Sequence, residues 1–286
     1  MATINFTKMH GIGNDYIYIN CLESMVEDPT NLAIKMSDRH FGVGGDGIVL
    51  IAPSTVADAR MIMFNMDGSE GNMCGNAIRC VGKYMYDRVG IKKNPMTIET
   101  KSGIKILEFN APDGIVETVK VNMGATILEP ENIPVTLPGD ENNQVVNREI
   151  EIDGVKYGIT AVSMGNPHAV TYLESEEAVD NLEIEKIGPK FENNPIFPER
   201  VNTEFVSIID DHTLKMRVWE RGSGETWACG TGACATVVSS VLNGYCPKGE
   251  DIKVKLRGGD LVIRYTDEAV FMTGSATFVF DGVMEV

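Results

Sequence analysis

The chain has 286 residues, 43% of them hydrophobic and 23% charged, an ordinary globular composition with room for about two domains, each burying its own core. Lys and Arg number 25 against 41 Asp and Glu, a net charge of −16. Such a balance repels phosphate backbones and anionic lipid, which argues against nucleic acid and membrane surfaces as partners.

In chain order, the pattern predicts a helix starting near Pro29, an apolar strand from Ile48 to Ala52, and an extended stretch running into Phe64. A helix should then run from Gly75 to about Arg88, stopping before Gly90. Extended segments follow over Met96 to Leu107, Val116 to Val121 and Arg148 to Ala161, the last bent at Asp153-Gly154. Another helix is expected near Ser175. A helix after Cys229 should end at Asn243-Gly244, a good stop signal. It carries no charge on any face, so it is expected to be buried. Strands from Ile252 to Leu256, Leu261 to Tyr265, Val270 to Thr273 and Ala276 to Phe280 close the chain. No apolar run approaches the ~18 residues of a membrane span. The opening Met1-Ala2-Thr3-Ile4-Asn5-Phe6 lacks a basic segment leading into an apolar one, so a cytoplasmic protein with reduced thiols is expected.

The chain repeats itself once. Phe64-Asn65-Met66-Asp67-Gly68-Ser69-Glu70 leads through Gly71-Asn72-Met73 to Cys74-Gly75-Asn76-Ala77. Trp219-Glu220-Arg221-Gly222-Ser223-Gly224-Glu225 leads through Thr226-Trp227-Ala228 to Cys229-Gly230-Thr231-Gly232, with an offset of 155 and no gap. A fainter pair, Gly13-Asn14-Asp15-Tyr16 and Gly165-Asn166-Pro167-His168, has an offset of 152. Two pairs in the same order point to duplication and a pseudo-twofold molecule. The expected fold is α+β: two pseudo-symmetric domains, each a curved, mainly antiparallel sheet or barrel around a central helix. The expected halves are 1–125, joined by a C-terminal strand 275–286, and 126–274.

Cys-Gly at a helix start has chemical consequences. The first N–H groups of a helix lack intrahelical partners and carry partial positive charge. A cysteine there should have its pKa lowered from about 8.5 toward ~3.5–7.5. The bare glycines Gly75 and Gly230 leave those amides open to a carboxylate. Two such thiols on opposite sides of one carbon could remove a proton from one face and return one to the other. They would titrate as a coupled pair, one thiolate and one thiol. The remaining cysteines have plainer readings: Cys80 and Cys234 as core packing, Cys21 and Cys246 as inert thiols. Cysteine spacings of six and five do not suit a zinc site. A Cys74–Cys229 disulfide is expected as an oxidised, inactive form. Gly42-Val43-Gly44-Gly45-Asp46-Gly47 matches GxGxxG, but its strand follows the glycines rather than preceding them, so a dinucleotide site is rejected. No pyridoxal or phosphate-loop context is apparent, and no cofactor is expected.

At these residues the sequence resembles diaminopimelate epimerase over nearly its whole length. The resemblance rests on Gly11-Ile12-Gly13-Asn14-Asp15-Tyr16, Asn65 to Glu70, Cys74 to Cys80, Gly165 to His168, Arg200-Val201-Asn202, Glu220 to Glu225 and Cys229 to Cys234. It implies interconversion of LL- and meso-2,6-diaminopimelate without pyridoxal phosphate or metal, in lysine and cell-wall precursor synthesis, by a homodimer. It implies that Cys74 and Cys229 are acid and base, with His168 and Glu220 flanking the reacting centre. It further implies that Gly75-Asn76 and Gly230-Thr231 offer helix-start amides to the reacting carboxylate. Asn14, Asn65, Asn166, Asn202, Glu220 and Arg221 would bind substrate, with Arg221 suited to the distal carboxylate. Some family members carry Gln where this chain has Gly47, so one side-chain contact is absent here. Proline racemase-type enzymes share the two-thiol logic, but there His typically follows the first Cys-Gly, where this chain has Asn76. A thiol redox or regulatory binding protein is the reading from another class, though it needs neither the Glu-Arg-Gly segment nor the Asn set.

Overall fold

The structure, a computed structural model, describes residues 3–285. Met1, Ala2 and Val286, which the expected halves include, lie outside the described residues. The chain divides into two compact units, Met1–Asn122 with Thr273–Val286, and Met123–Met272. Both are mostly β-sheet with few helices, in keeping with the α+β expectation.

In the first unit β1 (Thr3–Gly11) turns into β2 (Asn14–Asn20) through Ile12 and Gly13. Both turn residues have positive φ, 47° and 88°, as a type I′ hairpin requires. α1 (Pro29–Ser37) begins where expected, with Pro29 in its first turn and the Asp28 side chain accepting from Asn31 N. β3 (Gly47–Ala52) runs parallel to β2, and all six of its residues are buried. That explains its unbroken apolar sequence. β4 (Ala59–Asn65) returns antiparallel to β3, placing Gly47 opposite Asn65, and β5 (Glu70–Gly71) folds back on β4.

α2 (Gly75–Tyr84) follows, buried from Gly75 to Lys83 and packed against β1 and β2. A β-carbon on Gly82 would come within 2.5 Å of Leu107 Cδ2, so the helix needs glycine there to lie against the sheet. The α-helix is shorter than its pattern suggested. Its last stretch, Met85–Val89, widens into a π-helical turn that ends on Gly90 with φ 85°. β6 (Met96–Thr100) lies parallel to β4, β7 (Gly103–Asn110) pairs with β6, and β8 (Thr118–Gly124) pairs with β7. The last strand of the chain, Thr277–Glu285, pairs antiparallel with β1.

The second unit repeats this connectivity. β9 (Arg148–Ile152) and β10 (Val155–Ser163) form the expected hairpin at Asp153-Gly154. β11 (Pro167–Tyr172) is antiparallel to β10. α3 (Glu176–Asp180) starts from the Ser175 cap, and α4 (Ile184–Glu192) follows. β12 (Asn202–Asp210) is parallel to β11, β13 (Thr213–Glu220) returns antiparallel, and β14 (Gly224–Thr226) folds back on β13. α5 (Gly230–Leu242) packs against β10, β11 and β12, and also against β15 (Asp251–Leu256) and β16 (Gly259–Tyr265). β17 (Val270–Ser275) and β18, the closing strand described above, complete the order.

α4 is not among the helices expected from the sequence, and it contains two helix-breaking residues, Gly188 and Pro189. Tertiary packing overrides them. Ile184 and Phe191 are fully buried in the unit's core, and the Trp219 ring lies so close to Gly188 that an added β-carbon would sit 2.4 Å from it.

Candidate active site

Each unit sets one cysteine at the head of its buried helix. Cys74 is the N-cap of α2, with extended backbone and a sulfur that accepts from Ala77 N at 3.5 Å. Cys229 is the N-cap of α5, accepting from Gly232 N at 3.3 Å. In both, the sulfur takes the place of the Ser or Asp oxygen that ordinarily caps a helix.

In the first unit Cys74 Sγ donates to Asn14 Oδ1 at 3.4 Å. Asn14 Nδ2 in turn donates to Asp46 Oδ2 at 2.7 Å. Asn65, at the end of β4, donates to Ser69 Oγ at 3.0 Å. Gly75 and Asn76 form the first turn of α2 and are buried. The Asn76 side chain is turned inward, where Oδ1 accepts from the fully buried Arg79 at 2.9 Å. Arg79 also donates to Gly75 O and Ser275 O, bracing the turn that carries the cysteine.

In the second unit the polar groups converge on Cys229. Its sulfur lies 3.5 Å from Thr231 Oγ1. Thr231 Oγ1 accepts from Asn166 Nδ2 at 3.4 Å, and Asn166 Oδ1 lies 3.0 Å from His168 Nε2. His168 Nδ1 lies 2.7 Å from Glu204 Oε1, and neither side chain has any exposed surface. Both ring nitrogens face oxygen acceptors. The other Glu204 oxygen, Oε2, is buried without a hydrogen-bond partner. Glu220 accepts from Thr226 Oγ1 and also hydrogen-bonds Cys229. Asn202 spans two backbone groups, donating to Pro167 O and accepting from Arg221 N at 2.9 Å. The Arg221 guanidinium donates to Glu199 O at 2.9 Å. Gly230 is buried at the head of α5.

The electrostatics of Cys229 reverse the simple helix-start expectation. Burial pushes its thiol well above the ordinary range, and the Glu220 and Glu204 carboxyls push it further. The Thr231 hydroxyl and Gly232 N–H pull the other way and lose. Two acidic side chains and a dry pocket thus outweigh one helix terminus. Burial also raises Glu220, against the Thr226 hydrogen bond. Cys229 is therefore held toward its protonated form.

All six cysteines are free thiols. Cys80 and Cys234 are fully buried in the core, as their positions inside the helices suggested. Burial raises the thiols of Cys80 and Cys246 to about 11 and also raises Cys21. Gly47 opens β3 close to neighbouring backbone. A β-carbon there would meet Phe64 O at 2.0 Å and the Tyr16 ring at 2.8 Å. The missing side chain at this position is therefore a steric requirement of this backbone.

Sequence reasoning missed Asp46, Glu204 and Thr226. Asp46 was set aside with its glycine-rich motif. Glu204 carried a readable signal, a carboxylate next to the apolar Phe205-Val206, two residues from Asn202 and so on the same strand face.

The family model of diaminopimelate epimerase matches residues 6–128 and 160–279. A diaminopimelate epimerase from Acetivibrio thermocellus is 56% identical over 286 residues, covering 99% of both chains. One from Methanococcus maripaludis is 53% identical over 99% of this chain and 100% of its own. Among solved structures, a phenazine biosynthesis protein of the PhzF family from Bacillus anthracis superposes with a TM-score of 0.74 at 17% identity, covering 100% of both chains. A hydroxyproline epimerase from Agrobacterium vitis gives 0.68 at 14% identity, over 99% of this chain and 91% of its own. These distant likenesses concern the fold alone, whereas the close full-length relatives and the matched model show that this chain belongs to the diaminopimelate epimerase family.

Proposed function

We propose that this protein is an isomerase that interconverts LL- and meso-2,6-diaminopimelate by moving a proton between two thiols, within lysine and cell-wall precursor synthesis. The observation that carries the reading is the repeated helix-capping cysteine, Cys74 on α2 and Cys229 on α5, each beside an Asn-bearing strand or turn. The mechanism requires the two thiols to reach one carbon from opposite faces. One takes the α-proton as thiolate while the other, still protonated, delivers its own to the far side. The raised thiol of Cys229 suits the delivering role in the unliganded state. The charge that builds on the carboxylate during deprotonation is met by the amides at Gly75-Asn76 and Gly230-Thr231. His168 and Glu220 hold the proton balance beside Cys229. Asn14, Asn65, Asn166, Asn202, Glu220 and Arg221 would position the substrate, with the guanidinium of Arg221 turning from Glu199 O to the distal carboxylate. The two halves, about 1–125 with the last strand and 126–274, each supply one thiol. The enzyme is expected to need no cofactor, to act in the cytoplasm and to assemble as a homodimer. No helix among the described residues is long and apolar enough to cross a membrane.

Purified protein incubated with LL-diaminopimelate in heavy water, without added cofactor, should form the meso isomer with deuterium at the inverted carbon. Cys74→Ala and Cys229→Ala should each abolish inversion. Absence of deuterium uptake, or full activity in either variant, would overturn the proposal.

A further inference from the structure

The glycine-rich loop before β3 carries a carboxylate tied to the first cysteine through one intermediate. Asp46 Oδ2 accepts from Asn14 Nδ2 at 2.7 Å and from Asp15 N at 3.2 Å. Its backbone N–H donates to Asp15 O at 2.7 Å, and its carbonyl accepts from Met66 N at 3.1 Å. Its other oxygen meets Arg39 Nη2 at 3.0 Å, and the same guanidinium nitrogen meets Asp15 Oδ1 at 2.9 Å. Lys8, itself buried, closes the cluster on Asp15 at 2.5 Å and donates to Gly44 O. Asp46 is thus held by three separate stretches of chain.

The consequence falls on Asn14. An asparagine amide has one accepting end and one donating end, and only its partners decide which way round it sits. A carboxylate accepts and cannot donate. With Asp46 behind it, the Asn14 NH2 must face backward, and Oδ1 must face Cys74, where it accepts the thiol proton at 3.4 Å. The reverse orientation would oppose two oxygens across 2.7 Å. It would also point N–H groups at the sulfur, and hydrogen bonds to a charged form favour that form.

We propose that Asp46 is a positioning residue that locks the Asn14 amide with its oxygen toward Cys74 and so makes that cysteine harder to ionise in the unliganded protein. Its importance for turnover rests on the two-thiol reading above, but the lock itself is a property of the unliganded protein. Tyr18 on β2 and Cys80 on α2 also act electrostatically with Cys74, and the Ala77 N–H donates to its sulfur; Asp46→Ala leaves all three in place.

The test is the pH dependence of iodoacetamide alkylation, followed by mass spectrometry on the Cys74 peptide with the Cys229 peptide as internal reference. Asp46→Ala removes both accepting oxygens, so nothing holds the Asn14 NH2 backward and the amide is released to turn over. Cys74 alkylation at pH 7 should become roughly tenfold faster, with Cys229 unchanged. In an Asn14→Ala background, Asp46→Ala should have no further effect. Should Asp46→Ala fail to fold by circular dichroism, Asp46→Ser gives the same readout with a smaller acceleration. An unchanged Cys74 profile in a folded variant, or the same acceleration without Asn14, would overturn the lock. Because no substrate is present, neither result depends on whether the protein epimerises diaminopimelate.

Discussion

Gly232 lies in the first turn of α5, where the helix start meets the buried His168–Glu204 pair, and Gly232→Ala probes that junction. The new β-carbon would sit 2.6 Å from Glu204 Oε1, 3.2 Å from Cys229 Sγ and 3.3 Å from Cys229 Cβ. Ordinary contact begins nearer 3.4 Å, so Glu204 must retreat by most of an ångström. It has no exposed surface, and its 2.7 Å contact to His168 Nδ1 would be stretched past useful hydrogen-bond range. Losing a hydrogen bond with charged character costs ~1.5–3 kcal/mol, and overpacking a filled site adds ~1–3 kcal/mol. Replacing glycine by alanine in a helix returns up to ~1 kcal/mol. The net is a loss of ~1.5–5 kcal/mol, or about 3–20 °C in Tm for a unit of this size. Turnover should fall further than stability, by roughly a hundredfold, because the displaced groups surround the sulfur proposed to react. Differential scanning calorimetry and a coupled epimerase assay read the two effects. A variant at least as stable as the parent with normal kcat would show that the glycine is there for helix geometry alone and that Glu204 is not fixed against His168.

Glu220→Gln removes one of the two carboxyls that push the Cys229 thiol upward after burial. The pH midpoint for alkylation of Cys229 should move down while that of Cys74 stays put; an unmoved Cys229 midpoint would mean that Glu220 does not contribute to its acidity. His212, at the β12–β13 turn, is held between Glu250 and Asp211, each at 2.8 Å, and these carboxylates raise its pKa to about 9. A folded pKa above the ordinary ~6.5 stabilises fully below that pH and is lost as pH climbs through about 9. The Tm difference between the parent and His212→Gln should therefore be present at pH 6 and gone by pH 10, and a difference that grows with pH would contradict the pairing.

Local chemistry in the sequence determined a good deal of this protein. Asp28-Pro29 and Ser175 marked helix starts, Asp153-Gly154 marked a hairpin, and Asn243-Gly244 marked a helix end, because caps and tight turns depend on a few adjacent residues. The two Cys-Gly segments and their repeat were legible for the same reason, and the matching strand connectivity of the two units follows from that repeat. Long-range burial was not legible. α4 forms across Gly188-Pro189 because Trp219, far along the chain, packs on it. The acidity of Cys229 was misjudged because a helix start is local, whereas Glu204 and Glu220 reach the sulfur from β12 and the end of β13. Asp46 gained its place only when β3 ran parallel to β2 and brought the glycine-rich loop against Asn14. Motif and repeat named the thiols; the tertiary structure decided the direction in which the acidity of Cys229 shifts, because charge and desolvation act through space and the residues that supply them are not neighbours in sequence.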